Sequence, residues 1–256
     1  MNEREWQFLS SRERSWRDAS SLPLRYLVKS VAIKLRRRLW GQYVDRDQRL
    51  VWTPFALAEA EEPALVVRTY LEYAVLREIL AGLPIRRACD LGCGYGRVML
   101  VLQEFASYVK GFEREAHLVE TARLLMPHLQ FEQVSDLGLA EDSKAFDLAM
   151  TFTVLQHLTD VDARRVCARL KQLAPNGYVL CVEKTEEVGV SSQHTDGRRF
   201  VSRARPVATY EEYLHPFRLV TTSRRPVEPT LARPDAAGMF MLFAAPGLTP
   251  PRAERS

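Results

Sequence analysis

The residues best suited to chemistry lie in one short run, Asp90-Leu91-Gly92-Cys93-Gly94-Tyr95-Gly96. Glycines at alternate positions let the backbone approach a ligand closely. The carboxylate that opens the run suits a ligand with a cationic amine and would sit poorly beside a pyrophosphate. Seventeen residues after Gly96 comes Glu113, at the expected end of the following strand, where a carboxylate can accept from both hydroxyls of a ribose. The spacing is GxGxG, not the GxGxxG of dinucleotide sites, whose third glycine packs helix against strand. These residues favour an amino-acid nucleoside over a nicotinamide dinucleotide.

The run needs a strand before it and a helix after it, and the hydrophobic pattern supplies both. Apolar residues at Val66, Tyr70, Tyr73, Leu76 and Leu80 fall at helical spacing and end at Gly82 and Pro84. Residues 86–91 read as a buried strand and 97–105 as a helix. The alternation continues with a strand at 108–112, a helix at 115–125, strands at 130–134 and 146–151, a helix at 160–173 and a strand at 178–183. Short apolar strands alternating with amphipathic helices predict a doubly wound α/β domain with a parallel sheet. After Glu183 comes a polar stretch to residue 208. Thr209 and Glu212 read as a capping box that opens a helix through Leu214 to Phe217. Residues 217–222 and 238–245 read as an antiparallel strand pair at the sheet edge, and 248–256 as a frayed tail.

Composition agrees with a globular chain: 256 residues, 46% hydrophobic and 27% charged. This excludes fibrous and wholly disordered classes. The formal charge of +4 is unevenly placed: residues 25–49 carry net +6, 50–196 net −7 and 197–256 net +5. Cys89, Cys93, Cys167 and Cys181 show no zinc-knuckle spacing, so a reduced cytoplasmic protein without bound metal is expected. Neither a signal peptide nor an apolar run of membrane-spanning length is visible.

Five motifs in order give the chain a family resemblance. ACDLGCGYGR (88–97), GFE (111–113), VSD (134–136), FDLAMTFTVLQHL (146–158) and LKQLAPNGYVLCVE (170–183) resemble the class I S-adenosylmethionine-dependent methyltransferases. Asn176-Gly177 stands where many members carry two glycines. The resemblance implies a Rossmann-like sheet of seven strands whose last strand is antiparallel, with S-adenosyl-L-methionine over the strand ends. It implies that Asp90 and the backbone of Gly92, Cys93, Gly94 and Gly96 hold the methionine part, Glu113 the ribose, and Asp136 with the Leu137 backbone the adenine. Arg97, Arg114, Phe152 and Thr153 complete the expected cofactor set. His157, just after the fourth strand, is read either as a general base or acceptor ligand, or as a residue that only starts a helix.

The acceptor is less legible. Residues 1–60 lie outside the alternation and read as a helical extension, 61–246 as the catalytic domain and 247–256 as a flexible tail. Leu24, Leu27, Val28, Val31, Leu35 and Leu39 form one arc of a helix, with Arg36, Arg37 and other bases off it. Such an extension can roof an acceptor pocket, dock on the domain, or let residues 22–40 meet a membrane surface peripherally. Trp40, Tyr43, Trp52, His194, Arg203 and Tyr210 are the expected acceptor contacts, and the basic ends suit an anionic acceptor. The expected reaction methylates an O or N atom of a small-molecule, sugar or specialised-metabolite acceptor. The run 153–177 also resembles enzymes that methylate the α-amine of protein N-termini, although Thr153 stands where those carry an acceptor-lining Trp and Thr185 where they carry an Asn. A reading of another class is a non-catalytic cofactor-binding scaffold at a partner or membrane surface. Nucleic acid is not an expected partner, and a monomer or homodimer is expected.

Overall fold

A computed structural model describes residues 63–186, 203–226 and 238–248. The chain divides into two units, Met1–Val66 and Val67–Ser256, and the second contains the sheet. In chain order the described elements are α1 (Pro63–Leu80), β1 (Arg87–Leu91), α2 (Met99–Phe105), β2 (Tyr108–Glu113), α3 (Ala116–Leu125), β3 (Gln130–Gln133), β4 (Leu148–Phe152), α4 (Asp160–Leu173), β5 (Tyr178–Glu183), α5 (Val207–Leu214), β6 (Arg218–Arg224) and β7 (Met239–Ala244). Single 3-10 turns at Leu137–Leu139 and Leu155–His157, not foreseen from the sequence, follow β3 and β4.

The sheet has seven strands in the order β3-β2-β1-β4-β5-β7-β6. The first five are mutually parallel, and β7 is antiparallel to both β5 and β6. The expected terminal strand pair therefore forms, with β6 at the edge and β7 inserted beside β5. Order reverses between β1 and β4, the switch point where ligands of such sheets bind at the carboxyl ends of the strands.

Central strands are apolar on both faces because helices cover both. Along β5, Tyr178, Leu180 and Val182 join one core with Leu76 and Leu80 of α1, while Val179 and Cys181 join the other with Val166 and Leu170 of α4. The helical stripe read in α1 is corrected at one position. Tyr70 is 68% exposed, and the buried face instead includes Glu72. Its carboxylate is taken by two guanidiniums, Arg97 Nη1 at 2.8 Å and Arg225 Nε at 2.6 Å. Hydropathy cannot foresee a buried acid whose partners lie 25 and 153 residues away.

A second correction concerns Thr209. Helix α5 begins at Val207 with Pro206 in the capping position and no side-chain cap, so Thr209 lies inside the first turn. Arg205 is bridged to Thr185 as a short extended pair; Pro206 follows directly and the chain turns into the helix there.

Candidate active site

The glycine run leaves β1 and is tied to the end of the neighbouring strand β2. Gly92 and Cys93 both donate to the Phe112 carbonyl, at 2.7 and 3.2 Å. Gly94 has φ +58°, in the left-handed region, and a Cβ built on it would meet nothing within 4 Å. Its requirement is therefore conformational, and the space above it is open to a ligand. Gly96, at φ +89°, is different: a Cβ there would collide with Met126 and Phe131. Cys93 is buried against Gly111, and burial pushes its thiol well up, so it packs and does not react.

Below this loop Asp90 is buried, and its Oδ1 has no hydrogen-bond partner among the described residues. Burial first, and then the neighbouring Glu113 charge, push its carboxyl up to about 7 against the opposing pull of Arg97. A buried carboxylate short of a partner is costly on its own and is relieved by a cationic or donor ligand. Glu113 is already engaged: Oε2 accepts from Gly94 N at 2.9 Å, while Oε1 accepts from Arg114 N at 2.7 Å and Glu115 N at 3.0 Å. With two lone pairs per oxygen, Oε2 keeps one position for a ribose hydroxyl. The Arg114 guanidinium meets Glu115. Asp136 caps the turn after β3 through Gly138 N and binds Arg165 at 2.6 Å, with Leu137 as the first residue of that turn. These residues come together at adjacent strand ends and suit an adenosyl amino acid: an acid with an open valence for an amine, a lone pair for a hydroxyl, and a vacant shelf over Gly94.

The segment after β4 is held by more bonds than its length requires. Thr153 has φ +58°, a strained value for a β-branched residue that costs roughly 1–3 kcal/mol, and its N–H is fixed to the Val182 carbonyl at 2.7 Å. Buried Glu183 then accepts from Val154 N, Leu155 N and Gln156 N at 3.0–3.1 Å and from the Thr151 hydroxyl. Burial raises its carboxyl to about 7 although those bonds pull it down. From the other side Arg205 donates to the carbonyls of Leu155 and Leu158, both at 2.7 Å, and pairs with Asp160. Phe152 is buried edge-on to Phe240, with the Arg97 and Arg225 guanidiniums 4.8 and 5.2 Å above its ring.

His157 ends the turn and is half-buried. Gln156 Oε1 accepts from Lys184 N at 3.0 Å, which fixes the amide and turns Gln156 Nε2 toward His157 Nε2 at 3.1 Å. In that arrangement the Gln156 amide donates and His157 Nε2 accepts, the role of the ring nitrogen following from its tautomer. Of the expected acceptor contacts, Tyr210 has its hydroxyl already engaged on the Lys184 carbonyl at 3.4 Å, so it supports the strand end. Arg203 is anchored by its own N–H to the Gln156 carbonyl. Trp40, Tyr43, Trp52 and His194, like residues 22–40, lie outside the described residues. Sequence reading passed over Glu72, Gln156, Lys184 and Arg225; the one available signal was an acid, Glu72, inside an apolar helical stripe. No group of three or more His, Cys, Asp or Glu able to hold a metal occurs among the described residues, and none of their helices is long and apolar enough to cross a membrane.

Comparison with known proteins shows the family. Residues 46–218 match the family described as methyltransferase domain, and the chain belongs to it, with the Rossmann-like fold of the class I S-adenosylmethionine-dependent methyltransferases. It is 34% identical over 122 residues to trans-aconitate 2-methyltransferase of Rhizobium etli, covering 45% of this chain and 46% of that one. It is 32% identical over 138 residues to alpha N-terminal protein methyltransferase 1 of Drosophila melanogaster, covering 50% and 49%. The chain thus spans about half the length of these relatives. The fold is shared with the N-methyltransferase NodS of Bradyrhizobium japonicum in complex with S-adenosyl-l-homocysteine, at TM-score 0.58 and 16% identity over 76% of this chain and 93% of that one.

Proposed function

We propose that this chain transfers the methyl group of S-adenosylmethionine to an O or N atom of a small acceptor molecule. The observation that carries the cofactor half is the buried Asp90 Oδ1, without a partner among the described residues, beneath a glycine loop whose Gly94 leaves open space. When bound, the cofactor supplies a methyl group already activated on a sulfonium. Asp90, ionised, holds the amine; Glu113 presents its remaining lone pair to the ribose; Asp136 and the Leu137 backbone flank the base. The chain's remaining task is positional, holding the acceptor in line and taking a proton where the acceptor carries one. The doubly fastened Thr153–Leu158 segment provides that rigidity. His157 Nε2 accepts a proton only after Gln156 releases it, which makes Gln156 a gate on that role.

Trans-aconitate is the substrate in one relative's name and a protein α-amine in another's, and the charge layout favours the first chemistry, a small anionic acceptor. Calorimetric titration with S-adenosylhomocysteine and with NAD tests the cofactor. Binding of the former and not the latter is expected, and the reverse result overturns the proposal. A labelled-methyl screen over polycarboxylates, phenols, sugars and free α-amine peptides then assigns the acceptor; labelling of peptides alone would replace the small-molecule reading.

A further inference from the structure

Where β5 ends, the chain buries three polar residues in succession, Glu183, Lys184 and Thr185. Glu183 has its bonds. Lys184 is 2% exposed, yet its Nζ has no hydrogen-bond partner among the described residues, although its own N–H and carbonyl are held by Gln156 and Tyr210. An ammonium withdrawn from water without a partner opposes folding, and buried polar atoms left alone are rare enough to require a reason. A hydrophobic side chain would fill the position at less cost.

Its place in the fold supplies the reason. Side chains alternate along an extended strand, so Lys184, two residues beyond Val182 and just before the extended Thr185–Arg205 bridge, leaves on the face of Val182. On that face Val182 is flanked in register by Phe152 and Phe240, and the Arg97 and Arg225 guanidiniums lie over Phe152. Those two share Glu72, whereas Lys184 has none of the described carboxylates. Position β5 is two strands from β1, roughly 10 Å across the sheet at about 4.8 Å per strand, which is beside the cofactor loop and not within it.

We propose that Lys184 Nζ anchors an anionic oxygen group, a carboxylate or phosphate, of the methyl acceptor, against the apolar wall of Phe152 and Phe240. This inference rests on the methyltransferase reading above. Lys184 is a specificity residue in this role: it binds the end of the acceptor that does not react, and full desolvation strengthens its hold on an anion.

The test uses the full-length chain and its Lys184→Met and Lys184→Gln variants. Each is titrated with S-adenosylhomocysteine, and then, with that ligand saturating, with trans-aconitate and separately with inorganic phosphate. Wild type is expected to bind at least one anion, trans-aconitate alone identifying a carboxylate and phosphate alone a phosphoryl group. Both variants are expected to keep S-adenosylhomocysteine affinity within about twofold and lose anion affinity about tenfold or more, and Lys184→Met is expected to melt higher than wild type. Anion binding equal in wild type and variants, or absent from wild type, overturns the proposal, as does a variant that loses the cofactor product instead. Failure of wild type to bind S-adenosylhomocysteine at all is the separate signature that the methyltransferase reading has fallen, and this inference with it.

Discussion

Asp90 shows how a residue proposed to hold a ligand can work against the fold that carries it. Chiefly burial pushes its carboxyl from 3.8 up to about 7, so without a cation beside it the group is only partly ionised at neutral pH. Ionised Asp90 is the form that would hold an amine, and cofactor affinity should therefore rise between pH 6 and 8 with release of a proton. Calorimetry in two buffers of different ionisation enthalpy measures that release. Asp90→Asn should abolish it, weaken S-adenosylhomocysteine binding by about 2 kcal/mol, and stabilise the cofactor-free protein above pH 7. Glu113→Ala removes the acceptor of three backbone N–H groups as well as the proposed ribose contact. It should therefore cost roughly 1–3 kcal/mol in stability as well as in cofactor affinity, a pair of losses that urea unfolding and calorimetry separate.

At the scale of elements, the turn between β4 and α4 is stabilised by its neighbours and not by its own sequence. Thr153 is strained, and the N–H groups of residues 154–156 have their acceptor on β5, Glu183. Glu183→Ala leaves those donors and the Thr151 hydroxyl buried without an acceptor, and a loss of about 3–5 kcal/mol in unfolding free energy is expected by urea denaturation. Glu183→Gln, which retains one carbonyl oxygen, should lose less. The glycine loop divides in the same way: Gly94→Ala meets open space and should cost about 1–2 kcal/mol of left-handed strain while weakening cofactor binding. Gly96→Ala adds to the left-handed strain a clash with Met126 and Phe131 and should cost more stability than Gly94→Ala.

At the scale of the whole molecule, Asp90 and Glu183 act together on pH. Both folded values, about 7, exceed the unfolded 3.8 and 4.5, so the folded state binds more protons between those limits. The stability they contribute is complete below about pH 4 and is lost as pH rises through 7, by an amount on the order of 3–4 kcal/mol each. Thermal melts without cofactor should show that fall between about pH 4 and 7, with a shallower slope in Asp90→Asn. The family match begins at residue 46 and the sheet unit at Val67. Removal of residues 1–45 should therefore preserve S-adenosylhomocysteine binding, and loss of turnover in that shortened chain would place acceptor capture in the N-terminal segment.

The sequence by itself determined the alternation of strands and helices, the glycine loop and the acids at 90, 113 and 136, because each is a local pattern: a hydrophobic period, a spacing, a residue at a strand end. The tertiary structure alone decided which charges meet. Nothing in the sequence pairs Glu72 with Arg97 and Arg225, Tyr70 reads as core until the helix packs, and Tyr210 reads as an acceptor contact until its hydroxyl is found on the Lys184 carbonyl. Lys184 reads as an ordinary lysine after a strand, and only the closed sheet shows its ammonium buried with no described partner. Desolvation and pairing between residues distant in sequence are properties of the packed chain, and no local pattern encodes them.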